Sequence, residues 1–312
     1  MPRTMNSPGR MVRVDRGPRL LLLTTALGIV LALVSGCSLV DTGLRSVPLP
    51  LRLALASAVG SAAPSLPPSP SRTPHRTPRP ATVRPLPAGY TYRGPSTHKW
   101  IVLTFDEDVR PGMYAVRDKI RWYDPRIIDL LESTGTPATI FLNGLFAKAY
   151  PDVLRRLAAD PNLELANHSW DHQGWTANCG PNDPLIVPPM TKRTEVTDTA
   201  RIVKRLTGIK LRYFRFPNGC HTTADVRLVR SLGEASIGWS CAFGDGLGLS
   251  AARQVRNVQQ TCGRGMIVVT HLDGPPYHQG VYEALKQLIP WWKQHGWRVV
   301  TVSTMLRARA GR

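Results

Sequence analysis

The chain has 312 residues, 42% of them apolar, enough for one large domain or two small ones around a packed core. Its formal charge of +19 comes from 40 basic and 21 acidic residues, a balance that suits nucleic acid, an anionic membrane or an acidic polymer. Residues 1–95 carry 12 of the basic and 2 of the acidic residues, so about half of the excess lies ahead of the main domain. No nucleic-acid-binding motif is present, and the export signal that opens the chain argues against that class of partner.

Arg3, Arg10, Arg13, Arg16 and Arg19 precede Leu20–Val34, an uncharged apolar run of 15 residues. A basic segment followed by such a run reads as a secretion signal and is short for a spanning helix. Val34-Ser35-Gly36-Cys37 closes the run and resembles the lipobox of bacterial lipoproteins, which implies cleavage before Cys37 and lipidation of its thiol. The alternatives are an ordinary signal peptide or an uncleaved anchor. Each of them puts the bulk of the chain outside the cytoplasmic membrane, and the expected location is extracytoplasmic and lipid-anchored. Residues 61–89 are rich in Pro, Ser, Thr and Arg, lack the apolar side chains to build a core, and should form an extended, semi-rigid stalk. The expected segments are thus a signal peptide over 1–36, an anchored linker over 37–98 and one domain over 99–305.

From Trp100 the pattern changes to short apolar runs alternating with helical spacing. Strands are expected at Trp100–Phe105, Ala138–Leu142, Leu163–Ala166, Arg212–Phe214, Ala235–Ser240, Met266–Thr270 and Arg298–Val302. Helices are expected between them, at Pro125–Ser133, around Val153–Leu157, and at Lys192–Leu206, Ala224–Leu232, Ala251–Gln260 and Gly280–Gln294. Short strands that are apolar without alternation belong to a parallel sheet covered by helices, and about seven such units suit a (β/α) barrel. In that architecture chemistry collects in the loops after the strands. Polar and ionisable residues do fall there: Asp106-Glu107-Asp108, Asn167-His168, Arg215, Asp245 and His271.

His168-Ser-Trp-Asp-His172 places two imidazoles four apart, on one face if the segment makes a helical turn. They could then share one metal ion, with a carboxylate from elsewhere as third ligand and an open position for catalysis. Four cysteines remain after Cys37, with no CxxC spacing, and in an exported domain they permit disulfides in three pairings. Cys179 and Cys220 both follow candidate site motifs and are the expected pair. Cys241 and Cys262 are harder to join, because the first reads as ending a strand and the second as preceding one.

Five motifs stand in order: Thr104-Phe-Asp106-Glu-Asp108, His168-Ser-Trp-Asp-His172, Arg212-Tyr-Phe-Arg215-Phe-Pro217-Asn218-Gly219, Gly244-Asp245 and Val268-Val-Thr-His271. Together they resemble the NodB-like polysaccharide deacetylases, carbohydrate esterase family 4, over about Trp100 to Val302. The resemblance implies a distorted (β/α) barrel and hydrolysis of acetyl groups from N-acetylated sugars of a cell-envelope polysaccharide, peptidoglycan above all. It implies Zn2+, or another divalent transition metal such as Co2+, on His168 and His172. It makes Asp106 the general base, Arg215 its partner, and His271 the general acid oriented by Asp245. Pro217 and the backbone amide near Asn218 would help hold the oxyanion. The polysaccharide is the expected partner, with the membrane reached through the lipid anchor; no protein partner is expected.

The sequence departs from the family pattern at three places. The usual two acids and Gly are replaced by Asp106-Glu107-Asp108, so the third ligand is Glu107 by strict alignment or Asp108 by an offset of one; Asp108 is favoured for its shorter arm. Asn218 stands for an aromatic residue and Gly246 for a Trp, which puts the substrate in question more than the chemistry. An O-acetyl esterase and a non-catalytic glycan-binding lipoprotein are the alternative functions. Trp291, Trp292 and Trp297 read as packing, and Trp170 and Trp175 as candidates to stack on a sugar ring.

Overall fold

The computed structural model describes residues 86–177, 179, 188, 191–274 and 276–310. The expected signal segment, Cys37 and most of the linker lie outside these residues. All described residues belong to one compact unit, Thr77–Arg312.

Among the described residues, eight strands form one parallel sheet: β1 (Trp100–Glu107), β2 (Ala138–Leu142), β3 (Leu163–Asn167), β4 (Tyr213–Phe214), β5 (Ala235–Ser236), β6 (Cys241–Ala242), β7 (Met266–His271) and β8 (Arg298–Val300). Their order is β5-β4-β3-β2-β1-β7-β6, with β8 against the start of β1. The helices are α1 (Pro111–Ala115), α2 (Pro125–Thr134), α3 (Gly144–Ala149), α4 (Pro151–Ala159), α5 (Lys192–Thr207), α6 (Thr223–Ser231), α7 (Ala251–Thr261), α8 (Val281–Gln294) and α9 (Val302–Ala310). The sheet curls into a distorted barrel whose ends are bridged by the segment before β1. There Thr91 N donates to Ser236 O, Gly238 N donates to Thr91 O, and Arg93 pairs with Met266. Part of the segment read as linker is therefore packed on the barrel.

The lack of alternation in the strands has a simple cause, since both faces are buried. Along β1, Ile101, Leu103 and Phe105 face a core shared with the helices, whereas Val102 joins a second core with Phe141, Ala166, Tyr213 and Ile237. Thr104 and Asp106 follow Val102 in the alternation and so point into the barrel. Helix ends are set locally. Asp124 caps α2 by accepting from Arg126 N at 3.0 Å, Pro125 follows it, and Gly135 closes the helix at φ 60°.

Three expectations change. The run 235–240 is not one strand. Ala235–Ser236 lies beside β4 as β5, and the chain then passes to the other edge of the sheet, where Cys241–Ala242 pairs with β7. Cys241 thus begins a strand beside β7, and Cys262, which ends α7 just before β7, reaches it: the two are disulfide-bonded with Cα atoms 5.5 Å apart. The expected Cys179–Cys220 bridge is also formed, at 5.6 Å between Cα atoms. Finally, the last strand stops at Val300, where Val302 N donates to Thr139 Oγ1 and opens α9.

Candidate active site

Strand register brings the motifs together along one rim. Asp106 lies opposite His271 between β1 and β7, and Asn167 opposite Phe214 between β3 and β4. His168 and Arg215, one residue beyond those strands, therefore flank the same opening.

Arg215 is fully buried inside the barrel. Its Nη1 donates to Asp106 Oδ1 at 2.5 Å and to Thr104 Oγ1 at 2.9 Å, its Nη2 donates to Gly238 O, and its guanidinium lies 4.0 Å from the Phe141 ring centre. A charged group this deep is tolerated because each edge of the guanidinium has an acceptor and one acceptor is a carboxylate. The pair fixes one oxygen of Asp106 and leaves Oδ2 toward His168, 3.7 Å from its Nε2.

The chain turns after Glu107, and Asp108 takes the position between the histidines. Its Oδ1 is 3.3 Å from His168 Nε2 and 3.4 Å from His172 Nε2, and these three donors can share one metal ion. Glu107 points instead into the buried helix side of β1, where neither carboxylate oxygen has a hydrogen-bond partner. Burial, then Asp273 and Asp108, push the Glu107 carboxyl well above the usual range. Asp108 goes the other way: burial alone would raise it, but His172, His168 and His271 hold it well below the ordinary carboxylate range. Burial takes His172 down to about 3 against the pull of Asp108, so its ring is neutral and suited to a metal.

His168 and His172 do not meet on a helical turn. The segment is a loop in which Ser169 and His172 have φ of 72° and 62°, and backbone of this kind costs energy that the surroundings must supply. Ser169 N donates to Asn167 Oδ1, while Ser169 Oγ and Trp170 N both donate to Glu195 Oε2. His168 Nδ1 faces Arg215 O at 2.9 Å, which leaves Nε2 for the site. Glu195 on α5 and the Asn167–Glu234 hydrogen bond behind it were invisible to motif reading, because they act from α5 and from just before β5.

On the opposite side, Asp245 Oδ2 accepts from His271 Nδ1 at 2.8 Å, from His271 N and from Thr270 Oγ1. Burial would lower the His271 imidazole, but Asp245 overrides it and pushes the ring up to about 10. His271 Nε2 is 3.7 Å from Asp108 Oδ2, so the histidine pair and His271 face each other across Asp108. Pro217, Asn218 and Gly219 form a short 3-10 turn with Asn218 at φ 53°, held beside the Cys179–Cys220 bridge. Gly246 sits against His271: an added Cβ would lie 3.2 Å from its Cε1.

The tryptophans resolve differently from one another. Trp175 is 1% exposed and packs edge-on to Phe214 and Phe216, so it is core and cannot receive a sugar. Trp170 is half-buried against Gly144, where a Cβ would come within 2.1 Å of its ring. Trp292 is buried, and Trp291 and Trp297 pack against the same core.

Residues 93–236 match the family described as polysaccharide deacetylase. A peptidoglycan-N-acetylglucosamine deacetylase from Bacillus cereus is 26% identical over 218 residues, 70% of this chain and 72% of that protein. A family 4 carbohydrate esterase from Bacillus anthracis is similar in structure at TM-score 0.53 and 25% identity, over 70% of this chain and 88% of its own. A family 4 pseudoenzyme from the same organism shares the fold at TM-score 0.58 and 23% identity, covering 71% of this chain and 70% of its own.

Proposed function

The chain belongs to the polysaccharide deacetylase family, and on that premise we propose that it is a metal-dependent N-deacetylase of cell-envelope glycan, with N-acetylated sugars of peptidoglycan as substrate. The observation that carries this reading is Asp108 Oδ1, buried and without a hydrogen-bond partner, facing the Nε2 atoms of His168 and His172.

One carboxylate oxygen and two imidazole nitrogens suit Zn2+ or a similar divalent transition metal. When bound, such an ion polarises an acyl carbonyl and acidifies water. The remaining work falls to the chain itself. Asp106, anchored by Arg215 through one oxygen, takes a proton from water through the other as the water oxygen adds to the carbonyl carbon. Pro217 and the backbone at Asn218 bound the space for the developing oxyanion. His271, protonated and held by Asp245, gives its Nε2 proton to the amide nitrogen as the C–N bond breaks. The products are acetate and a free amine on the sugar.

Asp106 is paired with Arg215 and His271 with Asp245, and the two pairs meet at the rim where Asp106 lies opposite His271, an arrangement that favours catalysis over a purely glycan-binding role. Peptidoglycan is preferred because the Bacillus cereus relative is a peptidoglycan-N-acetylglucosamine deacetylase. The lipid anchor at Cys37 is part of the proposal. Fatty-acid labelling should tag the protein and disappear in Cys37→Ala; a tag that survives the substitution contradicts the anchor. The test of function is acetate release from a panel of N- and O-acetylated glycans with zinc or cobalt supplied. Release from N-acetylated peptidoglycan is expected, and release only from O-acetylated polymers would make the protein an esterase.

A further inference from the structure

A second imidazole–carboxylate pair stands beside the first. Asp273, 1% exposed, accepts from His278 Nδ1 at 2.6 Å. The His278 ring lies face to face with His271, centroids 3.7 Å apart and planes 6° apart. Gly246 makes room for this stack, since a Cβ there would lie 3.2 Å from His271 Cε1 and 3.8 Å from His278 Nε2.

Asp108, His271 and His278 are close enough to hold a metal ion between them. The ring geometry argues otherwise. In-plane lone pairs on two nearly parallel stacked rings run side by side and do not converge on one point, and His271 already spends Nδ1 on Asp245. The stack does supply a mechanical constraint. His271 is bound through one nitrogen only, so it can rock about the Nδ1–Asp245 hydrogen bond, and a flat ring tethered to its own buried carboxylate blocks that motion.

We propose that His278, oriented by Asp273, is a positioning residue for His271, fixing the direction in which His271 Nε2 delivers its proton. The role rests on the reading of His271 as the acid. Small errors in the placement of a proton donor lower the chemical step and leave substrate binding alone.

The test has two arms. In NMR of the metal-free protein, the His271 Cε1–H resonance carries a ring-current shift from His278. His278→Ala should move it downfield, and the double variant His278→Phe with Asp273→Asn, which keeps a flat ring and leaves no unpaired buried carboxylate, should move it back. In kinetics, His278→Ala should lower kcat roughly ten-fold, a fraction of the 10²–10⁴ typical of a general acid. KM and the single bound metal per chain should stay unchanged, and the double variant should recover most of kcat. An unchanged His271 resonance and kcat in His278→Ala would overturn the proposal. So would a second metal ion that is lost with His278, or a double variant no better than His278→Ala. If the wild type releases no acetate, the deacetylase reading fails while the NMR arm still decides the stack.

Discussion

Glu234 offers a test of the structure that is independent of the chemistry. Its carboxyl is 3% exposed, accepts one hydrogen bond from Asn167 Nδ2 at 3.1 Å, and has no partner at Oε2. Burial, only partly offset by Asn167 and Lys210, pushes it from 4.5 up to about 8. Below pH 4.5 the folded and unfolded chains both hold the proton. Between 4.5 and 8 the unfolded chain has lost it and the folded chain keeps it, so stability falls as the pH rises and levels off above 8. At about 1.4 kcal/mol per pH unit, that span is worth up to about 5 kcal/mol. Glu234→Gln keeps the carbonyl that accepts from Asn167 and removes the titration. Denaturant unfolding with disulfides intact should show wild type and variant close together at pH 5, and the variant more stable by several kcal/mol at pH 9. Stability curves that stay parallel from pH 5 to 9 would refute the burial argument.

The catalytic assignments give further tests. Asp106→Asn and His271→Ala should each retain near-stoichiometric zinc and lose at least ~10²-fold in acetate release, read by metal analysis and a coupled acetate assay on the same samples. His168→Ala, His172→Ala and Asp108→Ala should lose metal and activity together, while Glu107→Gln keeps its metal because Glu107 faces away from the histidines. Glu195→Ala should weaken metal binding about 10- to 100-fold, the usual cost of removing a residue that orients ligands, measured by competition with a chromogenic chelator.

Much of the fold was legible because its signals are local. The bounds of β2 and the start of α2 at Pro125 follow from an apolar run and from a cap followed by proline. What escaped depends on contacts distant in sequence. The chain between Ser236 and Cys241 is short and carries no charge, yet it leaves the edge of β4 for the edge of β7, a choice set by barrel closure that no local period records. The spacing of His168 and His172 correctly pairs them, but for the wrong reason. Glu195, on a helix that starts well downstream, holds the loop in a left-handed shape that no helix preference would give. Likewise α3 is a six-residue helix started by the Asn143 side chain, too short for its period to register. The offset from Glu107 to Asp108 was open in the sequence because alternation along β1 assigns only Asp106 to the barrel interior. The turn after the strand then decides which acid joins it. His278 left no trace in sequence, since its meaning lies entirely in the ring it covers.

The central claim is that one metal held by Asp108, His168 and His172 serves N-deacetylation. Its most direct test measures acetate released from N-acetylated peptidoglycan by chelator-stripped protein as zinc is titrated back. The account predicts no release without metal and full activity at one equivalent, with Asp108→Ala flat throughout. Acetate release by the stripped protein at the wild-type rate, or an Asp108→Ala variant that titrates like the wild type, would contradict it.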